Sequence, residues 1–309
     1  MARLLVTNDD GIHGPGLHAL AVALAGAGHE VVVVAPDHDA SGTGASLGGF
    51  DLSNALAVRR AELPGGVEVE AHALAGPPAM CVLAAVLGAF GEEEFDAIVS
   101  GINSGANTGR AILHSGTVGA ALTAQNFGLR GLAVSMAEPP RSPGGVRVGP
   151  AQWHWTHAAD LAAEVVGRLL DGPARITLNL NVPHGGDERP PLRWARLGTF
   201  GSVRSTVKGV EEGKLQFELV AVDEETRPDS DSALLRDGVA TLTAIGGLAE
   251  LWARPPEGPA DPADVESTAV TGPSDFAVEA HAAPGDELSP AHLFPDPEVA
   301  EHLFPRPVD

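Results

Sequence analysis

LLVTNDDGIHGPGLHALAVALAGAGHEVVVVAP, residues 4–36, holds a strand, a helix and a second strand in quick succession. LLVT (4–7) reads as a short buried strand. In the run that follows, Leu17, Leu20, Ala21 and Leu24 recur at i, i+3, i+4 and i+7, the spacing of one apolar helical face. Pro15 suits the first helical turn and Gly28 the stop. HEVVVVAP (29–36) is a near-continuous apolar strand, as expected where both faces of a sheet are covered. The three elements make a βαβ unit, right-handed and parallel. Between the first strand and the helix, Asp9 and Asp10 stand side by side. Like charges this close raise each other's pKa unless a cation or a donor offsets them. The pair is therefore either a solvated loop or half of a metal site.

The alternation continues down the chain. Residues 77–90, 117–128 and 153–172 read as helices, with Thr117 as a cap for the second. Residues 95–101, 129–137 and 175–183 read as strands. The class predicted is α/β, a doubly wound, mostly parallel Rossmann-like sheet, with an α/β core over 1–185. Past residue 190 the segments 193–210, 214–222 and 238–245 look like hairpin strands. Residues 186–254 are thus expected to form a β-rich extension that packs on the core or reaches a second subunit. From Pro255 to Asp309 there are 12 acids against one base, Arg306, and 11 prolines. That composition cannot offset chain entropy by burial, so disorder is expected for the tail. Within it AHLFPDP (291–297) and EHLFPRP (301–307) are near copies, read as chance duplication or as paired docking motifs.

The 309 residues carry 19 basic and 41 acidic side chains, a net charge of −22, and only two lysines, Lys208 and Lys214. No basic stripe exists to neutralise polymeric nucleic acid. A phosphate ester would have to be met by metal ions and helix N-termini. Cys81 is the single cysteine, in an apolar stretch, so it reads as a buried thiol and an intrachain disulfide is impossible. The opening apolar run is too short for a secretory signal, and none approaches the roughly 18 residues that span a bilayer. A cytoplasmic protein with no membrane partner is expected.

In doubly wound sheets, ligands bind outside the carboxyl ends of the strands. Three such ends are rich in oxygen donors: Asn8-Asp9-Asp10-Gly11, Asp37-His38-Asp39-Ala40-Ser41-Gly42, and Gly101-Ile102-Asn103-Ser104-Gly105-Ala106-Asn107. Two carboxylates, a hydroxyl and an amide carbonyl form a hard set suited to Mg²⁺ or Mn²⁺. Beside them His114-Ser115-Gly116-Thr117 opens a helix, where free N–H groups and the dipole favour an anion. Metal beside anion site describes phosphoryl transfer or phosphate hydrolysis. His38 and His114 lie close enough in this scheme to donate a proton to a leaving oxygen.

VTNDDGIHGPGL, VVAPD…SGTGASL, VSGINSGAN and HSGTVGAA, in this order over residues 3–137, resemble the SurE family of 5′/3′-nucleotidases. The likeness continues weakly through NLNVP (179–183) and PDSDSALLRDGVATLTAI (228–245). It implies a divalent-metal-dependent phosphomonoesterase that hydrolyses nucleoside 5′- or 3′-monophosphates, with one Mg²⁺ or Mn²⁺ per subunit. The implied metal ligands are Asp9, Asp10, Ser41 and Asn103, with Asp9 and Asp10 also catalytic. Asn103, Gly105, Asn107, Ser115, Gly116 and Thr117 are the implied phosphate-binding set. A homodimer or homotetramer with exchanged C-terminal β segments is implied as well. Which aspartate binds metal and which orients the attacking water is left open.

The chain departs from the family in Gly76-Pro77-Pro78-Ala79-Met80-Cys81-Val82, where a Thr-Pro-x-Asp-Cys-Val run is usual; Pro77 replaces the threonine and Met80 the acid. SLGGF (46–50) and His114 also differ from the usual residues. These changes motivate a second reading, a nucleotide- or metal-binding protein that has lost catalysis. A dinucleotide oxidoreductase fits poorly, since residues 9–16 lack the G-x-G-x-x-G spacing.

Overall fold

In the computed structural model the described residues are 1–49, 55–64, 69–139, 148–185, 188–199, 203–211, 214–221 and 227–247. The tail from 255 and its HLFP repeats lie outside them. The first βαβ unit is β1 (Arg3–Thr7), α1 (Pro15–Gly26) and β2 (Glu30–Pro36). Pro15 occupies the first turn of α1, and Gly28, at φ +86°, turns the chain out of it. There follow β3 (Val58–Arg60), β4 (Glu70–Leu74), α2 (Pro78–Val86), β5 (Ala97–Ser104), a 3₁₀ turn (Gly109–His114), α3 (Gly116–Asn126) and β6 (Arg130–Met136). The chain continues through α4 (Thr156–Asp171), β7 (Thr177–Val182), β8 (Leu192–Trp194), β9 (Val203–Glu211), β10 (Lys214–Ala221), α5 (Asp231–Arg236) and β11 (Ala240–Ile245).

Among the described residues nine strands form one sheet in the order β3-β4-β2-β1-β5-β6-β7-β11-β8. All neighbours run parallel except β3 against β4 and β11 against β7. Successive side chains of β1 and β2 point to opposite faces. Leu4, Val6, Val31 and Val33 join Leu17, Leu20 and Leu24 of α1 and Leu161, Val165 and Leu169 of α4. Leu5, Val32 and Val34 join Met80, Cys81 and Val82 of α2 and Ala120 and Ala124 of α3. Apolar strands buried on both faces are what a three-layer α/β sandwich requires.

β1 has β2 on one side and β5 on the other, so the strand order reverses there. Such a switch point opens a crevice at the carboxyl ends of the strands. β5 also runs further than its sequence suggests. It continues past Gly101 to Ser104, and its register against β6 shifts between Ser100 and Asn103. Gly101 permits this, with φ at +143° and a place for a Cβ only 2.3 Å from the Val134 carbonyl oxygen. The bulge re-aims Asn103 and Ser104 at the crevice.

Other expectations are corrected. α2 stops at Val86 rather than running to Phe90, because Gly88 turns at φ +87°; Leu87 is left exposed while Phe90 folds back into the core. The cap of α3 is Ser115, whose hydroxyl accepts from the Val118 N–H, not Thr117. β9 and β10 pair as an antiparallel hairpin, as read. The segments containing β8 and β11, read as hairpin strands too, instead join the main sheet beside β7, and α5 precedes β11 unread.

Candidate active site

The end of β1 is buried: Thr7 and Asn8 are fully covered, and Asp9 is 4% exposed. Asn8 closes the turn by donating from Nδ2 to the Gly11 carbonyl at 3.0 Å. The loop after β2 is tied to it, since the Ala40 N–H donates to the Asp9 carbonyl at 2.8 Å. Asp39 accepts from the N–H and the hydroxyl of Ser41, at 2.9 and 2.6 Å. The next residues lean on α3: Gly44 donates to the His114 carbonyl, and a Cβ on Gly119 would sit 2.2 Å from the Gly44 oxygen. Three loops are thereby gathered at the crevice.

Asp9 is gripped by α3. Its Oδ1 accepts from Thr117 Oγ1 at 2.5 Å and its Oδ2 from the Thr117 N–H at 3.2 Å. Gly116 allows the approach, because a Cβ there would lie 2.8 Å from Asp9 Cβ. The anion at this helix N-terminus is thus Asp9 itself. Asp10 points to β5, where its two oxygens accept from Ser104 Oγ at 2.9 Å and the Ser104 N–H at 3.2 Å. Asn103 donates from Nδ2 to the Gly105 carbonyl at 2.7 Å, which leaves its Oδ1 as the end open to a cation.

A cavity of about 380 Å³ lies over these groups, at the small end of the usual range for ligand pockets. Of the residues singled out in the sequence, Asp9, Asp10, Ser41, Asn103, Asn107 and Ser115 line it. Gly105, Gly116 and Thr117 do not; they hold Asn103 and Asp9 from behind. His114 lines the cavity, whereas His38 is exposed and bonded to Asp37 at 2.7 Å. Asp39 and Ser104 also line it and were missed as site residues, although both lie inside the quoted strand-end blocks.

Burial pushes the carboxyl of Asp9 above its ordinary range, against the opposing Thr117 bonds. Asp10 is pushed up by burial first and by the charge of Asp9 second. Asp39 is held down by the Ser41 hydroxyl and N–H. Among the described residues no lysine or arginine lines the cavity, and no group of three His, Cys, Asp or Glu side chains forms a metal cage. A cation here would therefore draw on mixed donors, with Ser41 and Asn103 joining the carboxylates. The deficit of positive charge and the all-oxygen set fit a hard dication.

Pro77 and Met80 stand apart from the cavity. Pro77 precedes α2 and Met80 packs into the apolar cluster with Leu5 and Val32.

Residues 4–202 match the protein family described as "Survival protein SurE". The chain is 41% identical over 187 residues to a protein named "5′-nucleotidase SurE" from Thermosynechococcus vestitus, an alignment spanning 59% of this chain and 63% of that one. It is 41% identical over 204 residues to the protein of the same name from Xanthomonas campestris pv. campestris, spanning 65% and 69%. Among solved structures, the crystal structure of the SurE protein from Aquifex aeolicus superposes with a TM-score of 0.63 at 27% identity, covering 79% of this chain and 93% of that one.

Proposed function

The chain belongs to the SurE family, and from that premise we propose that it is a divalent-metal-dependent phosphomonoesterase, hydrolysing nucleoside 5′- or 3′-monophosphates to nucleoside and phosphate. The observation that carries the reading is the convergence of Asp9, Asp10, Ser41 and Asn103 on one cavity from three loops. These four would hold one Mg²⁺ or Mn²⁺. When bound, such a dication offsets the charge of the phosphoryl oxygens and lowers the pKa of a water beside it.

The chain's own residues do the rest. Asn107 and Ser115, which line the same cavity as the carboxylates, orient the phosphate, with Ser115 at the start of α3. Asp9, fixed at both oxygens by Thr117, serves as ligand. Asp10, the less buried of the two, is better placed to take the proton of the attacking water. Water attacks phosphorus as the ester P–O bond breaks, and the leaving oxygen takes a proton. His114, lining the cavity, is the side chain assigned to give it.

The same proposal includes a homodimer or homotetramer in the cytoplasm. Among the described residues the β9–β10 hairpin pairs only with itself, and an isolated two-stranded hairpin is marginal in water. A second subunit would supply its cover. No helix among the described residues is long and apolar enough to cross a membrane.

The test is phosphate release from a panel of phosphate esters. Turnover of nucleoside monophosphates should vanish with EDTA and return with Mn²⁺ or Mg²⁺. Calorimetric binding of nucleotide without phosphate release would instead support the binding-only reading.

A further inference from the structure

Beyond Gly105, whose N–H still reaches the Met136 carbonyl of β6, the chain leaves the sheet and loops over the cavity as far as Ser115. This stretch contributes Asn107, Ala111, His114 and Ser115 to the lining. Its apolar anchorage is slight: Ile112 packs against Val118 and Ala133, while Leu113 is 75% exposed. Polar groups from distant elements hold it instead. Asn181 of β7 accepts from the Asn107 N–H at 2.8 Å and donates from Nδ2 to the Asn107 carbonyl at 2.9 Å. Asn179 donates to the same carbonyl at 2.8 Å, and Asn107 Nδ2 donates to Ser135 Oγ at 2.9 Å. Two residues on, the Gly109 N–H donates to Asp231 Oδ2 at 2.9 Å. Asp231 Oδ1 meanwhile accepts from the N–H groups of Gly198 and Ser232.

All of Ser135, Asn179, Asn181 and Asp231 are fully buried. Polar side chains in a core are costly unless satisfied. Asn179 even keeps an Oδ1 with no partner among the described residues, between Leu178 and Leu180 in a buried strand. A position kept only for sheet stability would favour an apolar side chain there. Asn179, Asn181 and Asp231 share the backbone of residues 107–109 as their partner, and Ser135 holds the side chain of Asn107. None of them lines the cavity.

We propose that Asn179, Asn181 and Asp231 are positioning residues that clamp the 106–115 stretch, and so set the phosphate-facing wall of the site independently of the carboxylate wall on β1. The inference rests on the phosphomonoesterase reading for its link to substrate, though not for the clamp itself. Two near-isosteric variants separate the walls. In Asp231→Asn the amide oxygen can keep Gly198 and Ser232, so its NH₂ faces the Gly109 N–H and that one bond is lost. In Asn181→Asp the acceptor for the Asn107 N–H survives, but a second oxygen faces the Asn107 carbonyl.

Both variants are made in the full chain and assayed with saturating Mn²⁺. Each should raise KM for a nucleoside monophosphate about tenfold, the scale of a lost buried hydrogen bond, with Mn²⁺ affinity within about twofold of the parent. Deuterium exchange should quicken across residues 106–115 and stay unchanged in β1 and β5. If the parent chain turns over no ester, the functional reading fails on its own. The clamp is then judged by exchange and by the affinity for inorganic phosphate with Mn²⁺ present. Unchanged exchange over 106–115, or equal weakening of Mn²⁺ and phosphate in step with a lower Tm, overturns the proposal.

Discussion

Gly116→Ala pits two effects of opposite sign against each other at the site. Gly116 is the first residue of α3, and glycine in a helix is about 0.5–1 kcal/mol worse than alanine. On propensity alone the change would stabilise. The added Cβ, however, would lie 2.8 Å from Asp9 Cβ, 2.9 Å from Asp9 Oδ2 and 3.1 Å from Thr43 Oγ1. Asp9 cannot swing aside cheaply, because Thr117 holds both its oxygens and its side chain is buried. Overpacking of this kind costs about 1–3 kcal/mol, so the steric term wins and a net loss of about 1–2 kcal/mol is expected. Thermal unfolding in EDTA should show Tm lower by about 2–8 °C. Gly167→Ala is the control: it lies within α4, nothing stands within 4 Å of its added Cβ, and Tm should rise by a few degrees. Calorimetry on Gly116→Ala should also show weaker Mn²⁺ binding as Asp9 is displaced. A Gly116→Ala protein as stable as Gly167→Ala, with Mn²⁺ affinity intact, would refute the close docking of Asp9 on α3.

Three further outcomes are expected. Asp10→Asn should lower kcat for nucleoside monophosphates by about 10²-fold or more while far-ultraviolet circular dichroism stays unchanged. The same variant should be more stable than the parent in EDTA, increasingly so as pH rises from the ordinary carboxylate range. The sign follows from burial: a raised carboxyl keeps its proton in the folded state while the unfolded chain has released it, so the parent loses stability through that window. Urea unfolding at pH 4 and pH 7 measures this, and a difference that shrinks with pH would contradict it. Removing residues 255–309, which carry half of the net charge, should leave kcat/KM for the monoester unchanged in the phosphate-release assay.

The fold core was legible because its signals are local. Leu17, Leu20, Ala21 and Leu24 repeat at helical spacing, and Val31 to Val34 form an uninterrupted run, so neither needs a distant partner to be read. β11 shows the limit. TLTA alternates as a strand must, but nothing in the alternation says whether the neighbour is a hairpin partner or β7, some 60 residues earlier. α5 escaped because its six residues are too few for a helical period to emerge. At the site, residue types were readable and engagements were not. Ser115-Gly116-Thr117 announced a helix start fit for an anion, yet the anion in place is Asp9, 108 positions away from Thr117. Asn179 and Asn181 likewise read as plain strand residues, because their partner at Asn107 is set by the sheet order alone.

Asp9 seated on the start of α3 has a consequence for the order of events in the proposed reaction. Thr117 gives its N–H and hydroxyl to that carboxylate, and the Val118 N–H goes to Ser115 Oγ, so the helix dipole has already spent its pull on an internal partner. Under the proposed function an incoming phosphate faces the Asp9 and Asp10 carboxyls, with no lysine or arginine among the described residues lining the cavity, until a cation is bound. For the proposed reaction the expected order of loading is metal before ester, and phosphate or sulfate in the buffer should compete with substrate only in protein that already carries its ion.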